Sequence, residues 1–215
     1  MKFTSRGLKT VVDSDDFRNE LRELSSYAAN IRQERPIVML VAKYLWRRGF
    51  KVALEKRKCD LVVDDTPIEF KFCFDYDTYN LNRELQRFGG DIRSLMDAVS
   101  RKEVSKTWTV SPAIYKDVVE KRPDIFVWVL CQRDLSQLTD DELGRVCIAR
   151  EQQWYSRIHA DHSNQKSVAI AEQFLEKLRG IRKFSLKKGK IATEGAFPSV
   201  YHFMICDFTK ADTGT

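Results

Sequence analysis

The sequence predicts an α/β fold, in which helices flank a mixed central sheet and a helical C-terminal elaboration follows. Apolar residues recur at helical spacing in several segments, as is typical of helices that pack on a sheet by one face. Three short runs rich in β-branched and aromatic residues lie close together between residues 50 and 72. The run at 124–132 is apolar on both faces and therefore belongs inside a sheet that is covered on both sides.

Two amphipathic helices are predicted before the strands. The first spans 14–31 and begins in the acidic stretch 13–16, where negative charge favours a helix start. Its buried stripe consists of Phe17, Leu21, Leu24, Ala28 and Ile31. The second helix spans about 36–48, with Pro36 in its first turn and Gly49 directly after its end.

The remaining elements follow the order strand, strand, strand, helix, helix, strand. We predict strands at 50–55, 59–63 and 66–72, a helix at 80–101 interrupted at Gly89-Gly90, a helix at 112–121, and a central strand at 124–132. Residues 140–182 have a helical pattern with a polar break at 159–166, and 199–208 form a late strand. The simplest organisation is one domain over 1–215, with a core at about 34–133 and an elaboration at about 134–215; a boundary near residue 135 is the alternative.

The composition indicates a globular protein with an anionic partner. The chain has 215 residues, of which 43% are hydrophobic, and a net charge of +6, which favours a polyanion such as nucleic acid. The five cysteines are odd in number, scattered and mostly set in apolar runs, so we expect reduced, buried thiols and a cytoplasmic location. No N-terminal apolar region or membrane-length apolar stretch is present in the sequence, so we expect no membrane partner.

The most informative segment is a predicted hairpin around Asp64-Asp65, a polar pair suited to a tight turn. With these two residues as the turn, Val63 faces Thr66 and Asp60 falls opposite Glu69. Lys71, two residues further on, shares the face of Glu69. The opposite face is apolar and consists of Leu61, Val63, Ile68, Phe70 and Phe72.

Two carboxylates opposed on a sheet repel each other, by about 3 kcal/mol at ~5 Å and an effective dielectric of ~20. A divalent cation would compensate for this repulsion, because Mg²⁺ is bound through carboxylate oxygens, waters and substrate phosphates. A lysine beside such an ion can orient a water or stabilise the developing phosphate charge. Asp60 and Glu69 are therefore candidate metal ligands, and Lys71 is a candidate catalytic residue.

This arrangement resembles the PD-(D/E)xK nuclease superfamily, which has the restriction-endonuclease-like fold. Asp60 matches the first acid and Glu69-Phe70-Lys71 matches the acid-x-lysine triplet, while Cys59 stands where the family often has proline. The order of elements over residues 34–133 also matches. The resemblance implies a nuclease that uses Mg²⁺, with Mn²⁺ able to substitute, and hydrolyses phosphodiester bonds in DNA. It favours an endonuclease over an exonuclease. A restriction or defence enzyme and a repair or junction-resolving enzyme both fit, and a homodimer is left open.

Many members of this superfamily add a carboxylate from the helix before the first strand. Glu34 lies three, four and seven positions before Ile37, Val38 and Val41, which places it at the end of the buried stripe if the helix extends back that far. Pro36 disfavours helical geometry at the residue before it, so Glu20 on the first helix stays open as the alternative. Glu55, at the end of the first strand, could also approach the site.

Basic residues around the hairpin are candidate phosphate contacts. We predict DNA contacts from Arg47, Arg48, Lys56, Arg57 and Lys58; Lys51 belongs to the same group. A second basic group lies at 182–190, and Gln132 and Arg133 end the predicted central strand. The competing hypothesis is a non-catalytic nucleic-acid-binding protein that keeps the nuclease fold and carries Asp60, Glu69 and Lys71 as surface charges.

Overall fold

A computed structural model describes residues 3–28, 33–56, 58–103, 110–135, 138–143, 166–194 and 198–209. Its helices are α1 (Ser5–Val12), α2 (Asp15–Ala28), α3 (Glu34–Arg47), α4 (Asp75–Arg87), α5 (Ile92–Ser100), α6 (Ser111–Tyr115), α7 (Asp140–Leu143) and α8 (Ser167–Leu178), and one turn of π-helix, Lys116–Glu120, continues α6. Its strands are β1 (Val52–Leu54), β2 (Leu61–Val63), β3 (Thr66–Phe74), β4 (Ile125–Arg133), β5 (Ser185–Thr193) and β6 (Ser199–Asp207).

These strands form one mixed six-stranded sheet in the order β1-β2-β3-β4-β6-β5. β3 and β4 are parallel, and the other neighbouring pairs are antiparallel. The chain therefore has an α/β fold with helices on both faces of the sheet, as the sequence predicted. β4 lies in the middle of the sheet and is buried along almost its whole length, which confirms the predicted central strand.

Side chains of alternating parity along the strands build two cores. Helices α1, α2 and α3 pack on one face, over side chains such as Phe70, Phe72, Val127 and Phe203. Helices α4, α5, α6 and α8 pack on the other, over Phe126, Trp128 and Met204. Glu69 and Lys71 lie on β3 with the parity of this second face, beside Phe126 and Trp128 in the register of β4.

The predicted hairpin has the predicted register. Val63 pairs with Thr66 and Leu61 pairs with Ile68. Asp64 and Asp65 have φ angles of 44° and 66°, the left-handed geometry that two-residue hairpin turns require. Because the turn fixes the register, the predicted apolar face of the hairpin is buried in the first core.

Several predicted boundaries differ from the structure. The helical region predicted from residue 14 is preceded by a separate helix, α1, and α2 is described only to Ala28. α4 begins at Asp75, directly after β3, rather than at residue 80, while the break at Gly89-Gly90 is present, with both glycines at positive φ. Residues 144–165, which include most of the predicted polar break, lie outside the described residues.

The C-terminal third contributes more than helices, so the predicted helical elaboration is incomplete. β6 was predicted, but β5 was not, and both strands extend the central sheet beyond β4. β5 is an edge strand that carries Lys187, Lys188 and Lys190. Lysines are common on edge strands, where they prevent pairing with other chains, and they obscured the strand in the sequence.

Among the described helices, none is long and apolar enough to cross a membrane. The described cysteines, at positions 59, 73, 131 and 206, are buried and form no disulfide.

Candidate active site

The candidate site lies where the pairing between β2 and β3 ends. The ladder between the two strands runs only as far as the pair Leu61 and Ile68, whereas β3 continues to Phe74. Beyond Ile68, the edge of β3 that faced β2 needs other partners for its backbone N–H groups, because unpaired backbone groups are costly when buried.

Two carboxylates accept hydrogen bonds from this edge of β3. The Oδ2 atom of Asp60 accepts a hydrogen bond from the backbone N–H of Phe70 at 2.8 Å. The Oε2 atom of Glu34 accepts one from Phe72, two residues further along, also at 2.8 Å. Since a strand rises about 3.3 Å per residue, the two N–H groups that these carboxylates accept lie roughly 7 Å apart along the strand edge.

Glu69 lies beside Asp60 and is almost completely buried, with 2% of its surface exposed. Its Oε2 atom accepts a hydrogen bond from the backbone N–H of Asp60 at 3.3 Å. Its Oε1 atom contacts the Nζ atom of Lys121, which also lies 3.0 Å from Oδ1 of Asp117. The repulsion that predicted a cation is therefore met, in the structure, by an ammonium group.

Lys71 lies on the same face of β3 as Glu69 and forms an ion pair with Glu34. The distance between the Nζ atom of Lys71 and the Oε2 atom of Glu34 is 3.3 Å. This contact exists because α3 begins at Glu34, with Pro36 tolerated in the first turn. Glu20, the alternative third acid, instead pairs with Lys43 at 2.6 Å and accepts a hydrogen bond from Tyr44, so it links α2 to α3.

Burial governs the protonation of these groups. It raises the pKa of Glu69 to about 7, against the opposing effect of Lys121, and the charges of Asp60 and Asp117 add to the rise. Burial also raises the pKa of Asp60, to which the nearby Glu34 contributes. Glu69 thus titrates near neutral pH, where an ordinary glutamate is fully ionised.

The pKa values of Lys121 and Lys71 are raised as well, for a different reason. Burial alone would lower the pKa of Lys121, but its hydrogen bonds to Glu69 and Asp117 outweigh this effect and raise the pKa. The same balance, with Glu34 as the main partner, raises the pKa of Lys71. Both lysines therefore stay charged at neutral pH.

Lys121 and Asp117 were not predicted as site residues. They lie four positions apart on the turn that ends before β4, a spacing typical of an ordinary surface ion pair. Arg182 holds this segment from outside, donating hydrogen bonds to the carbonyl oxygens of Val118 at 3.1 Å and Pro123 at 2.9 Å. Only the parallel pairing of β3 with β4 places the segment over Glu69.

The other predicted candidates have different roles. The side chain of Arg133 is completely buried, with its guanidinium 4.3 Å from the ring centre of Phe74 and 3.6 Å from Asp75, so it does not face a bound phosphate. Gln132 contacts the ring of His202 at 3.1 Å. Glu55 forms an exposed ion pair with Arg35 at 3.1 Å, beside the site.

The basic residues around the hairpin are divided between two places. Lys56 and Lys58 are exposed in the β1–β2 connection, next to Asp60, and Arg57 lies outside the described residues. Arg47 and Arg48 are exposed at the end of α3 opposite Glu34; a 14-residue helix is about 20 Å long. Lys56 and Lys58 therefore remain close to Asp60 along the chain, whereas Arg47 and Arg48 lie at the far end of α3 from Glu34.

The donor chemistry of the cluster suits a hard cation, although the residues are not arranged around one. Four carboxylates, from Glu34, Asp60, Glu69 and Asp117, face two ammonium groups, which leaves a formal charge of −2 when all are ionised. Among the described residues, no three His, Cys, Asp or Glu side chains form a metal-binding group. Glu69 explains why, because Lys121 and the Asp60 N–H already engage its two oxygens.

No protein-family model matches the chain, and neither a curated protein nor a solved structure matches it.

Proposed function

We propose that the protein is a Mg²⁺-dependent nuclease that hydrolyses phosphodiester bonds in DNA, with the PD-(D/E)xK arrangement of the restriction-endonuclease-like fold. The observation that carries the proposal is the convergence of Asp60, Glu69, Lys71 and Glu34 at the open edge of β3. Glu69 and Lys71 lie on β3, Asp60 directly precedes β2 and Glu34 begins α3, and the excess of negative charge among the four residues favours binding of a cation. The net charge of +6 supports a polyanionic substrate.

Each residue has a proposed role. Asp60 and Glu69 would hold Mg²⁺ or Mn²⁺, which supplies an activated water and neutralises charge on the phosphate. Lys71 would orient the water or stabilise the charge that develops on the phosphate. Glu34 fixes the ammonium group of Lys71 through the 3.3 Å ion pair, and Lys56 and Lys58 would contact neighbouring phosphates.

The contact between Lys121 and Glu69 favours a second candidate, a DNA-binding protein without nuclease activity. A lysine that permanently neutralises Glu69 would make a metal unnecessary for stability and would leave Asp60 without its partner ligand. The two candidates differ in whether Lys121 leaves Glu69 when a divalent cation is present.

Cleavage assays on duplex, branched and single-stranded DNA, with Mg²⁺, Mn²⁺ or EDTA, test the proposal. We expect metal-dependent cleavage that Glu69→Gln and Lys71→Met each abolish, with DNA affinity largely kept, because affinity comes from phosphate contacts spread over many basic side chains. Glu23→Gln and Lys116→Met make the same chemical changes at exposed positions and should leave cleavage unchanged. Cleavage in EDTA would overturn the metal-dependent mechanism, and no cleavage on any of the three DNA forms would favour the non-catalytic protein.

A further inference from the structure

A cleft of about 230 Å³ opens directly beside the candidate site, between the start of α3 and the end of β1. It is lined by Glu34, Arg35, Val38, Met39, Leu54, Glu55 and Asp60. Since Glu34 and Asp60 belong to both the cleft and the site, a strand bound with one phosphate at the site would place an adjacent nucleotide at the cleft.

Part of the cleft is an accessible apolar surface, formed by Val38, Met39 and Leu54. Met39 is 50% exposed and Leu54 is 42% exposed, and together with Trp46 they are the exposed large hydrophobic side chains of the described residues. Two of these three side chains therefore line one small cleft. Exposed apolar side chains in a cleft can contact the flat face of a ring, and methionine makes favourable contacts with aromatic rings.

The charge around the cleft selects which part of a nucleotide can enter. Glu34, Glu55 and Asp60 bring three carboxylates, against the single guanidinium of Arg35, which is paired with Glu55 at 3.1 Å. This excess of negative charge repels a phosphate group that no bound cation neutralises, whereas an uncharged base can pack against Val38, Met39 and Leu54 without that repulsion. In a duplex both faces of a base are stacked, so only an unpaired base can insert.

We infer that the cleft binds one unpaired base next to the scissile phosphate, so that the substrate is DNA with an unpaired nucleotide at or beside the cleavage point. The inference rests on the proposed nuclease function, whose substrate class it narrows. Arg35 would then leave Glu55 for a phosphate of the same strand at little cost, since exposed ion pairs contribute about 0–1 kcal/mol.

The test measures binding in EDTA, where no cleavage occurs. Two labelled oligonucleotide duplexes of identical length are compared, one fully paired and one with a single unpaired 2-aminopurine. We expect the wild type to bind the second up to about tenfold more tightly, the upper range for contact of a methionine sulfur with an aromatic ring, and to change the fluorescence of the unpaired base.

The variant Met39→Gln/Leu54→Thr should lose this preference, because both substitutions replace exposed apolar walls with polar groups at positions that tolerate them. Trp46→Gln is the matched control on the same helix: it removes an exposed apolar side chain outside the cleft and should keep the preference. Melting temperatures of all variants verify that they are folded.

Equal binding of the two duplexes by the wild type would overturn the inference, as would a preference that survives in the double variant. If the wild type cleaves paired DNA with Mg²⁺ and shows no preference, the proposed nuclease stands and the cleft inference fails. If it prefers the unpaired base but cleaves nothing, the cleft is a base-binding site and the nuclease proposal fails. Unchanged DNA binding in the double variant would instead assign the cleft to another ligand, such as an apolar peptide segment.

Discussion

Replacing Lys121 with methionine should destabilise the metal-free protein, and more strongly at alkaline than at acidic pH. Lys121 contacts Glu69, which is 2% exposed, and lies 3.0 Å from Asp117, which is also buried. Removing one partner of a buried ion pair costs about 3–5 kcal/mol, because the remaining charge is left uncompensated. Lys121 itself is 20% exposed, so we expect the lower value, about 3 kcal/mol, as the upper limit of the loss at pH 8.

The pH dependence follows from the raised pKa of Glu69. The unfolded chain releases this proton near pH 4.5, whereas the folded protein releases it near pH 7, so the folded state binds more protons between these values. Stability from this group therefore falls as pH rises through that window. In Lys121→Met the pKa of Glu69 rises further, so the cost reaches its full value only above this new pKa, is partial at pH 8 and is smallest at pH 5.5, where Glu69 is protonated.

Chemical and thermal denaturation in EDTA at pH 5.5 and pH 8 measure this effect. For a chain of 215 residues, about 3 kcal/mol corresponds to a decrease in Tm of roughly 6–12 °C. Lys116→Met, an exposed lysine on the same turn, should change stability by less than about 0.5 kcal/mol. If Lys121→Met behaves like Lys116→Met, or loses the same stability at both pH values, Lys121 does not neutralise Glu69 in solution.

Three further predictions concern the same site. Asp60→Asn should raise Tm in EDTA at pH 8, because it removes one of two like charges while an amide oxygen can still accept the N–H of Phe70. The gain in the free energy of unfolding should stay below the Coulomb limit of ~3 kcal/mol, and a lower Tm would contradict the repulsion argument. Glu34→Gln should slow cleavage at least tenfold, because it removes the carboxylate that fixes Lys71, and it should keep DNA affinity. Kinetic assays measure the rate and anisotropy assays measure the affinity; an unchanged rate would exclude this role. The double variant Lys56→Ala/Lys58→Ala should weaken DNA binding and reduce the slope of log affinity against log salt concentration by about 2. The variant Arg47→Ala/Arg48→Ala should have a smaller effect. DNA titrations from about 50 to 200 mM salt measure both.

The hairpin could be predicted because its register depends on local chemistry. A two-residue turn of Asp64-Asp65 fixes which residues face each other, and alternation then assigns every side chain to a face. The central strand could also be predicted, since a run that is apolar on both faces fits only inside a covered sheet. In both cases the information lies within a short stretch of sequence.

Features that depend on tertiary neighbours could not be predicted in this way. Arg47 and Arg48 precede the hairpin closely in sequence, yet the length of α3 separates them from Glu34. Arg133 ends a strand, where a polar residue ordinarily meets solvent, but its guanidinium is buried against Phe74 and Asp75. Sequence proximity and residue type were insufficient in each case because the packing of whole elements decides exposure.

Lys121 is the clearest case, because its position changes the argument that predicted a metal. Opposed carboxylates require compensation, and the sequence offered only Lys71 and a cation as compensating charges. The parallel register pairs Glu69 with Phe126, which lies five residues after Lys121. The segment before β4 therefore places a second lysine in contact with the buried carboxylate. Stability without metal is therefore compatible with the nuclease proposal, and a metal that binds Glu69 must compete with an ammonium group already in place.

A cation that binds at Glu69 should accordingly bind more tightly in Lys121→Met than in the wild type, whereas a cation that binds elsewhere should not distinguish the two proteins. Mn²⁺-dependent shifts in Tm would measure this difference without any substrate.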